Sequence, residues 1–142
     1  MAKVFEFKTR VYYEDTDAGG IVYYANYLKF LERARTELIY NLGQNHRQLM
    51  KIFGFQIVVC HCDISFKKPA LFEDDLVIET FIERLSAVTI IMKQNIYKLE
   101  LVNNGNKKNL LVEAKVKLAT INKENKPIKM PEEILNVLKS CL

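Results

Sequence analysis

The densest cluster of side chains able to do chemistry is Tyr12-Tyr13-Glu14-Asp15-Thr16-Asp17-Ala18-Gly19-Gly20-Ile21-Val22-Tyr23-Tyr24-Ala25-Asn26-Tyr27. Two carboxylates, Asp15 and Asp17, precede a glycine pair and a run that turns into a helix. A carboxylate can serve as general base or as nucleophile toward an activated carbonyl. The first N–H groups of a helix have no partner inside it, and the helix dipole places positive potential at that end. Together these are the minimal parts of an acyl-transfer site: an anion to attack or to activate water, and donors for the oxyanion that forms. Gly19 and Gly20 allow the close backbone approach that such a site needs. Spacing alone leaves Asp15 and Asp17 equivalent. It also leaves open that either is a turn aspartate bonded to its own backbone.

Other chemistries are excluded by what the chain lacks. It has three serines and two histidines, and no G-x-S-x-G, P-loop or G-x-G-x-x-G pattern. Ser-His hydrolases of the nucleophile-elbow type, P-loop NTPases and Rossmann enzymes fall away. No cofactor is implied. Cys60-His61-Cys62-Asp63 has the residue types of a metal site, yet a strand would send Cys60 and Cys62 to one face and His61 to the other. A structural zinc would want four converging ligands. No metal is expected, and the thiols are expected to be buried. His46 is expected on a short helix as a surface or capping residue. Arg33, Arg35, Arg84, Lys67, Lys68 and Lys93 are candidates to hold anionic phosphates, and nothing in the sequence chooses among them.

These residues must be positioned by a chain of 142 residues, 49% hydrophobic and 27% charged, with a formal net charge of +4. That length suits one domain, residues 1–142. The mild positive excess favours anionic small molecules. No basic block interleaved with aromatics argues for nucleic acid. No apolar run approaches the roughly 20 residues of a membrane span. The start lacks a signal-peptide core, and three cysteines make no disulfide framework, so a cytoplasmic protein is expected.

Residues 3–13 alternate as a strand does. From about Ala25, Tyr27, Leu31, Ala34, Leu38 and Leu42 recur at helical spacing, and Gly43 closes a helix of about 18 residues. A second short helix is expected over 45–52. Strands are expected at 55–66, 75–85, 88–100 and 109–121, and a terminal helix begins with Pro131 at its first position. The economical packing is α+β: a long central helix wrapped by a curved five-stranded antiparallel sheet. The second sheet face and the edges would then need covering, which predicts a homo-oligomer.

The run Asp15-Thr16-Asp17-Ala18-Gly19-Gly20-Ile21-Val22-Tyr23-Tyr24-Ala25-Asn26-Tyr27-Leu28, followed by Glu32-Arg33-Ala34-Arg35-Thr36-Glu37, resembles the hot-dog thioesterases of the 4-hydroxybenzoyl-CoA type. Within these it is most similar to the bacterial Tol–Pal-associated acyl-CoA thioesterases. Ile64-Ser65-Phe66-Lys67-Lys68-Pro69-Ala70 with Asp74-Asp75-Leu76 resembles a second family block, and the likeness spans roughly residues 4–122. The resemblance implies the hot-dog fold and an acyl-CoA thioester hydrolase of lipid metabolism. It assigns Asp17, within D-x-x-G-[IV]-V, as the catalytic carboxylate, and the Tyr24 backbone N–H as oxyanion donor. Gly20, Val22, Tyr27 and Leu31 are the implied substrate contacts. Relatives often carry His at the position of Tyr24, so this chain keeps the N–H and lacks the imidazole.

The helix stripe of Tyr27, Leu31, Ala34 and Leu38 is expected to line an acyl groove free of buried charge, favouring aliphatic acyl chains. A dimer or tetramer is expected, with an acyl carrier protein as a possible partner. The competing reading is a non-catalytic module that binds acyl-CoA or an acyl carrier and recruits partners for the envelope or for phospholipid synthesis.

Overall fold

The computed structural model describes residues 2–142. Strand β1 (Phe5–Arg10) leads through two short 3-10 turns, Tyr13–Asp15 and Tyr24–Asn26, into helix α1 (Tyr27–Asn41). A single turn, α2 (His46–Gln48), widens into a π-type turn over Leu49–Phe53. Four strands follow, β2 (Gln56–Phe66), β3 (Asp75–Leu85), β4 (Thr89–Val102) and β5 (Gly105–Ile121), and helix α3 (Glu132–Lys139) ends the chain. The five strands form one antiparallel sheet in the order β1-β3-β4-β5-β2. The α+β architecture of one long helix against a five-stranded antiparallel sheet is the expected one.

The helix packs where the alternation of the central strands points. Leu76, Ile78 and Ile82 on β3, Ile90, Met92 and Ile96 on β4, and Val112, Val116 and Leu118 on β5 are all buried. Against them α1 sets Tyr27, Phe30, Leu31, Ala34, Leu38 and Ile39. Register shifts at Val59/His61, Ile82/Arg84 and Ile96/Tyr97 insert extra residues into the ladder. Such bulges sharpen local twist and bend, which lets strands of 11 to 17 residues curve around one helix. Gly43, at φ 80°, closes α1, its N–H donating to Tyr40 O at 2.9 Å.

Several expectations are revised. Helix α1 has 15 residues, because Tyr24–Asn26 wind more tightly as a 3-10 turn. Pro131 sits at the extended N-cap and not inside α3. Residues 103–104 alone join β4 to β5, so the Asn-Asn-Gly-Asn segment is a tight hairpin with Gly105 and Asn106 already in the strand.

The outer sheet face is mixed in character. It carries Lys115 with Glu83 at 3.3 Å and Lys108 with Glu79 at 2.7 Å and Glu6 at 2.9 Å, so ion pairs occupy part of it. What stands open is the edge strand β2, which has no fully buried residue and exposes Val59 and Phe66. Cys60 occupies the bulge in β2 and is exposed, contrary to the buried thiol expected, while Cys141 is buried. Among the described residues no helix is long and apolar enough to cross a membrane, and no group of His, Cys, Asp or Glu is placed to hold a metal ion.

Candidate active site

The two candidate aspartates are separated by what their carboxylates touch. Asp15 is buried, and its Oδ2 accepts the Tyr12 N–H at 2.8 Å. Its carbonyl accepts the Tyr23 N–H at 3.0 Å and the Asn26 side-chain amide at 2.9 Å. Asp15 therefore ties the first strand to the start of the helix. Asp17 is exposed. Its backbone closes a tight loop, with its N–H donating to Ile21 O at 2.9 Å and its carbonyl accepting the Gly20 N–H at 3.1 Å. Its Oδ1 accepts the Gly19 N–H at 2.8 Å, the turn-aspartate bond that the sequence left open, and Oδ2 has no such tie.

Both glycines are used. Gly20 adopts φ 79°, a region that disfavours a side chain, and a Cβ at Gly19 would stand 3.2 Å from Asp17 Oδ1. The loop is pinned to the segment after β2 by Val22 N–H to Ala70 O at 2.9 Å and Phe72 N–H to Gly20 O at 3.4 Å. Asp17 and Gly20 line a cavity of about 410 Å³ with Tyr13, Thr16, Ala18 and Phe72. The Tyr13 and Phe72 rings meet edge to face at 5.7 Å across it.

A second cavity, of about 310 Å³, is lined by Ile21, Val22, Tyr24, Tyr27, Phe66 and the Lys67–Pro69 segment. Phe66 is its aromatic centre, 6.1 Å from the Tyr24 ring and 5.6 Å from the Tyr27 ring. The Tyr27 hydroxyl accepts the Ala70 N–H at 3.0 Å, and burial raises the pKa of this phenol against the opposing pull of that bond. The 3-10 turn begins here. Its first bond is Asn26 N–H to Tyr23 O at 2.8 Å, so Tyr24 and Ala25 lie at the turn's unpaired end.

The predicted residues thus fall into two groups. Val22, Tyr24 and Tyr27 share the second cavity, Asp17 and Gly20 share the first, and the loop between them belongs to both walls. Leu31 lines neither. It is fully buried in the core with Ala34 and Leu38, so the stripe expected to line the groove is mostly packing. Of the basic candidates, Lys67 and Lys68 stand at the Tyr24 cavity, and Lys67 is loosely paired with Glu113 at 3.9 Å.

Sequence reasoning missed Gln94 and Thr80. Both are buried polar residues at inward positions of otherwise aliphatic strands, and Gln94 Nε2 donates to Leu31 O and Thr80 Oγ1, each at 3.0 Å. A polar residue in the Ile90, Met92, Gln94, Ile96 alternation was the available signal.

The model of the family described as "Thioesterase superfamily" matches residues 19–103. A Haemophilus influenzae protein named acyl-CoA thioesterase YbgC is 37% identical over 131 residues, covering 92% of this chain and 90% of that protein. Among solved structures, a probable thioesterase from Bartonella henselae aligns with a TM-score of 0.79 at 39% identity, over 90% of this chain and 99% of the other. The 4-hydroxybenzoyl CoA thioesterase of Pseudomonas sp. strain CBS-3 aligns with a TM-score of 0.84 at 23% identity, over 96% and 99%, a likeness of fold.

Proposed function

The chain belongs to the thioesterase superfamily, and on that premise we propose that it hydrolyses acyl-CoA thioesters through Asp17. The observation that carries this reading is the contrast between the aspartates. Asp15 is buried and spent on backbone bonds, whereas Asp17 is exposed beside a cavity with one carboxylate oxygen untied. The thioester carbonyl takes its donors from the start of the helix, where the Tyr24 N–H stands at the unpaired end of the turn. Charge develops on that oxygen in the transition state, and fixed donors stabilise it by about 2.7–4 kcal/mol each.

Asp17 then acts by one of two routes. As nucleophile it forms a C–O bond to the acyl carbon, the C–S bond breaks, and coenzyme A leaves as a thiolate that takes a proton from water. Water next cleaves the mixed anhydride and restores Asp17. As general base it takes a proton from the water that attacks directly. Oxygen-18 from solvent water entering the Asp17 carboxylate over a single turnover marks the first route with water attacking the anhydride at its aspartyl carbon; water attacking at the acyl carbon labels the product acid, as the second route does.

Tyr24, Tyr27, Val22 and Phe66 offer an apolar and aromatic wall beside the donors, which supports aliphatic acyl groups as substrates. Lys67 and Lys68 at the rim of that wall suit the phosphates of coenzyme A. The open edge of β2, with Val59 and Phe66 exposed, supports pairing with a second copy to give a dimer, and two dimers to give a tetramer, with the Tyr24 cavity near the boundary. Thiols that form no disulfide suit the reducing cytoplasm, where such substrates occur.

The test is thiol release from a panel of acyl-CoAs and acyl-carrier-protein thioesters, run with the wild type and with Asp17→Asn. Release by the wild type and its loss in the variant are expected. Binding without release by the wild type would instead mark a non-catalytic acyl-carrier module.

A further inference from the structure

Helix α1 borders a third cleft, of about 440 Å³, that the hydrolytic reading does not use. It lies toward the C-terminal half of α1, between the helix, the turn at Asn45–Arg47 and the inward positions of β2 and β5. Its floor is apolar: Ile39, Ile57, Val59, Met92 and Leu118. Set into this floor is Arg35, half-buried, whose pKa is lowered by burial against the opposing charge of Glu32. Arg35 takes part in none of the ion pairs formed among the described residues. Glu32 instead accepts the Thr36 hydroxyl at 2.9 Å and remains outside ion-pair distance of Arg35.

The guanidinium is aimed by a buried relay. Arg35 Nη1 donates to Gln94 Oε1 at 2.9 Å. Gln94, with no exposed surface, uses Nε2 for Leu31 O and Thr80 Oγ1, so an acceptor is what remains to hold the arginine. Arg35 lines the cleft, and among the described residues only its Nη1 has a hydrogen-bond partner. A partly desolvated cation with free donors on an apolar floor is completed by an anion, and the planar fork of arginine matches a carboxylate bidentately. The aliphatic floor favours an anion with a hydrocarbon body over a bare inorganic one. The volume is that of a small-molecule site.

We propose that this cleft binds an aliphatic carboxylate, its head on Arg35 and its chain across Ile57, Val59 and Leu118. Two sources share that chemistry: the free acid that thioester hydrolysis releases, and an acyl group bearing a carboxylate at its far end. Only the choice of source rests on the thioesterase reading.

Titration calorimetry of the full chain with octanoate and with 1-octanol tests the site without any turnover. Octanoate should bind, and 1-octanol should bind at least about tenfold more weakly, because it keeps the chain and lacks the charge. Arg35→Gln should bring octanoate down to the octanol level, Arg35→Lys should fall between, and Glu32→Gln should tighten octanoate by removing a like charge. Equal binding of octanoate and octanol by the wild type overturns the proposal, as does undiminished octanoate binding by a folded Arg35→Gln protein. No octanoate binding overturns it too.

The source follows from kinetics with octanoyl-CoA and an octanoyl-CoA analogue carrying a terminal carboxylate. Inhibition by octanoate identifies the free acid, and a preference for the carboxylate-bearing substrate that Arg35→Gln abolishes identifies the acyl end. Absence of hydrolysis with octanoate binding intact would remove the thioesterase reading and leave the site standing.

Discussion

The two halves of helix α1 border unlike cavities. At its start the cavity wall is apolar and aromatic, and the polar groups on offer are backbone N–H groups of an incompletely bonded turn. Around its middle and end, the backbone is engaged within the helix, and the cleft there draws its polarity from the side chains of Arg35, Glu32, Asn45 and His46. A helix start can stabilise a transient negative charge with no side chain at all. A helix interior can bind an anion only by spending a side chain on it, and that side chain must be aimed. Gln94 does the aiming here.

The start of the helix depends most on Asp17. Asp17→Asn removes the charge at nearly constant shape, and kcat for thiol release should fall by about 10³-fold or more while the melting temperature holds. A rate near that of the wild type would show that the helix start works without this carboxylate. Tyr24→Pro should come next. Proline fits the first position of a helical turn yet carries no N–H, so kcat should drop by about 10²–10³-fold with little change in fold. Tyr24→Phe, which keeps the N–H, is the control and should retain activity.

Effects on stability should be smaller. Ala34 is 3% exposed and packs in the core with Phe30 and Leu31, so Ala34→Phe should destabilise by about 1–3 kcal/mol in urea unfolding. A changed chain-length profile at unchanged stability would return Ala34 to a groove wall. Asp15→Ala should cost about 1–2 kcal/mol by stripping the Tyr12 N–H of its partner. Its effect on kcat should stay well below that of Asp17→Asn, which separates the aspartate that holds the loop from the one proposed to act. Least of all, Cys60→Ser on the exposed bulge should change stability by less than about 0.5 kcal/mol.

Much of this was legible in the residues. The alternation of β3 and β5, the helical stripe from Tyr27 and the Gly43 stop are local patterns, and local patterns fix local elements. The segment holding Asp17 was legible because glycines and a helix start are themselves local features. Element ends were less so. The tight turn at Tyr24–Asn26 and the bulge at Cys60 depend on what the chain packs against, as Asn26 shows by reaching back to Asp15 O.

By itself, then, the sequence determined the element order, the helix-and-sheet class and the loop in which a reactive carboxylate could stand. The residue types left Asp15 and Asp17 equivalent and the family pattern pointed to Asp17; the folded chain adds that the two differ in burial and in partners. It also turned Leu31, Ala34 and Leu38 from groove into core. Arg35 was one of six interchangeable cations until a glutamine 59 positions away met the helix from the sheet. Charge becomes specific through desolvation and long-range contacts, and those exist only once the chain has closed on itself.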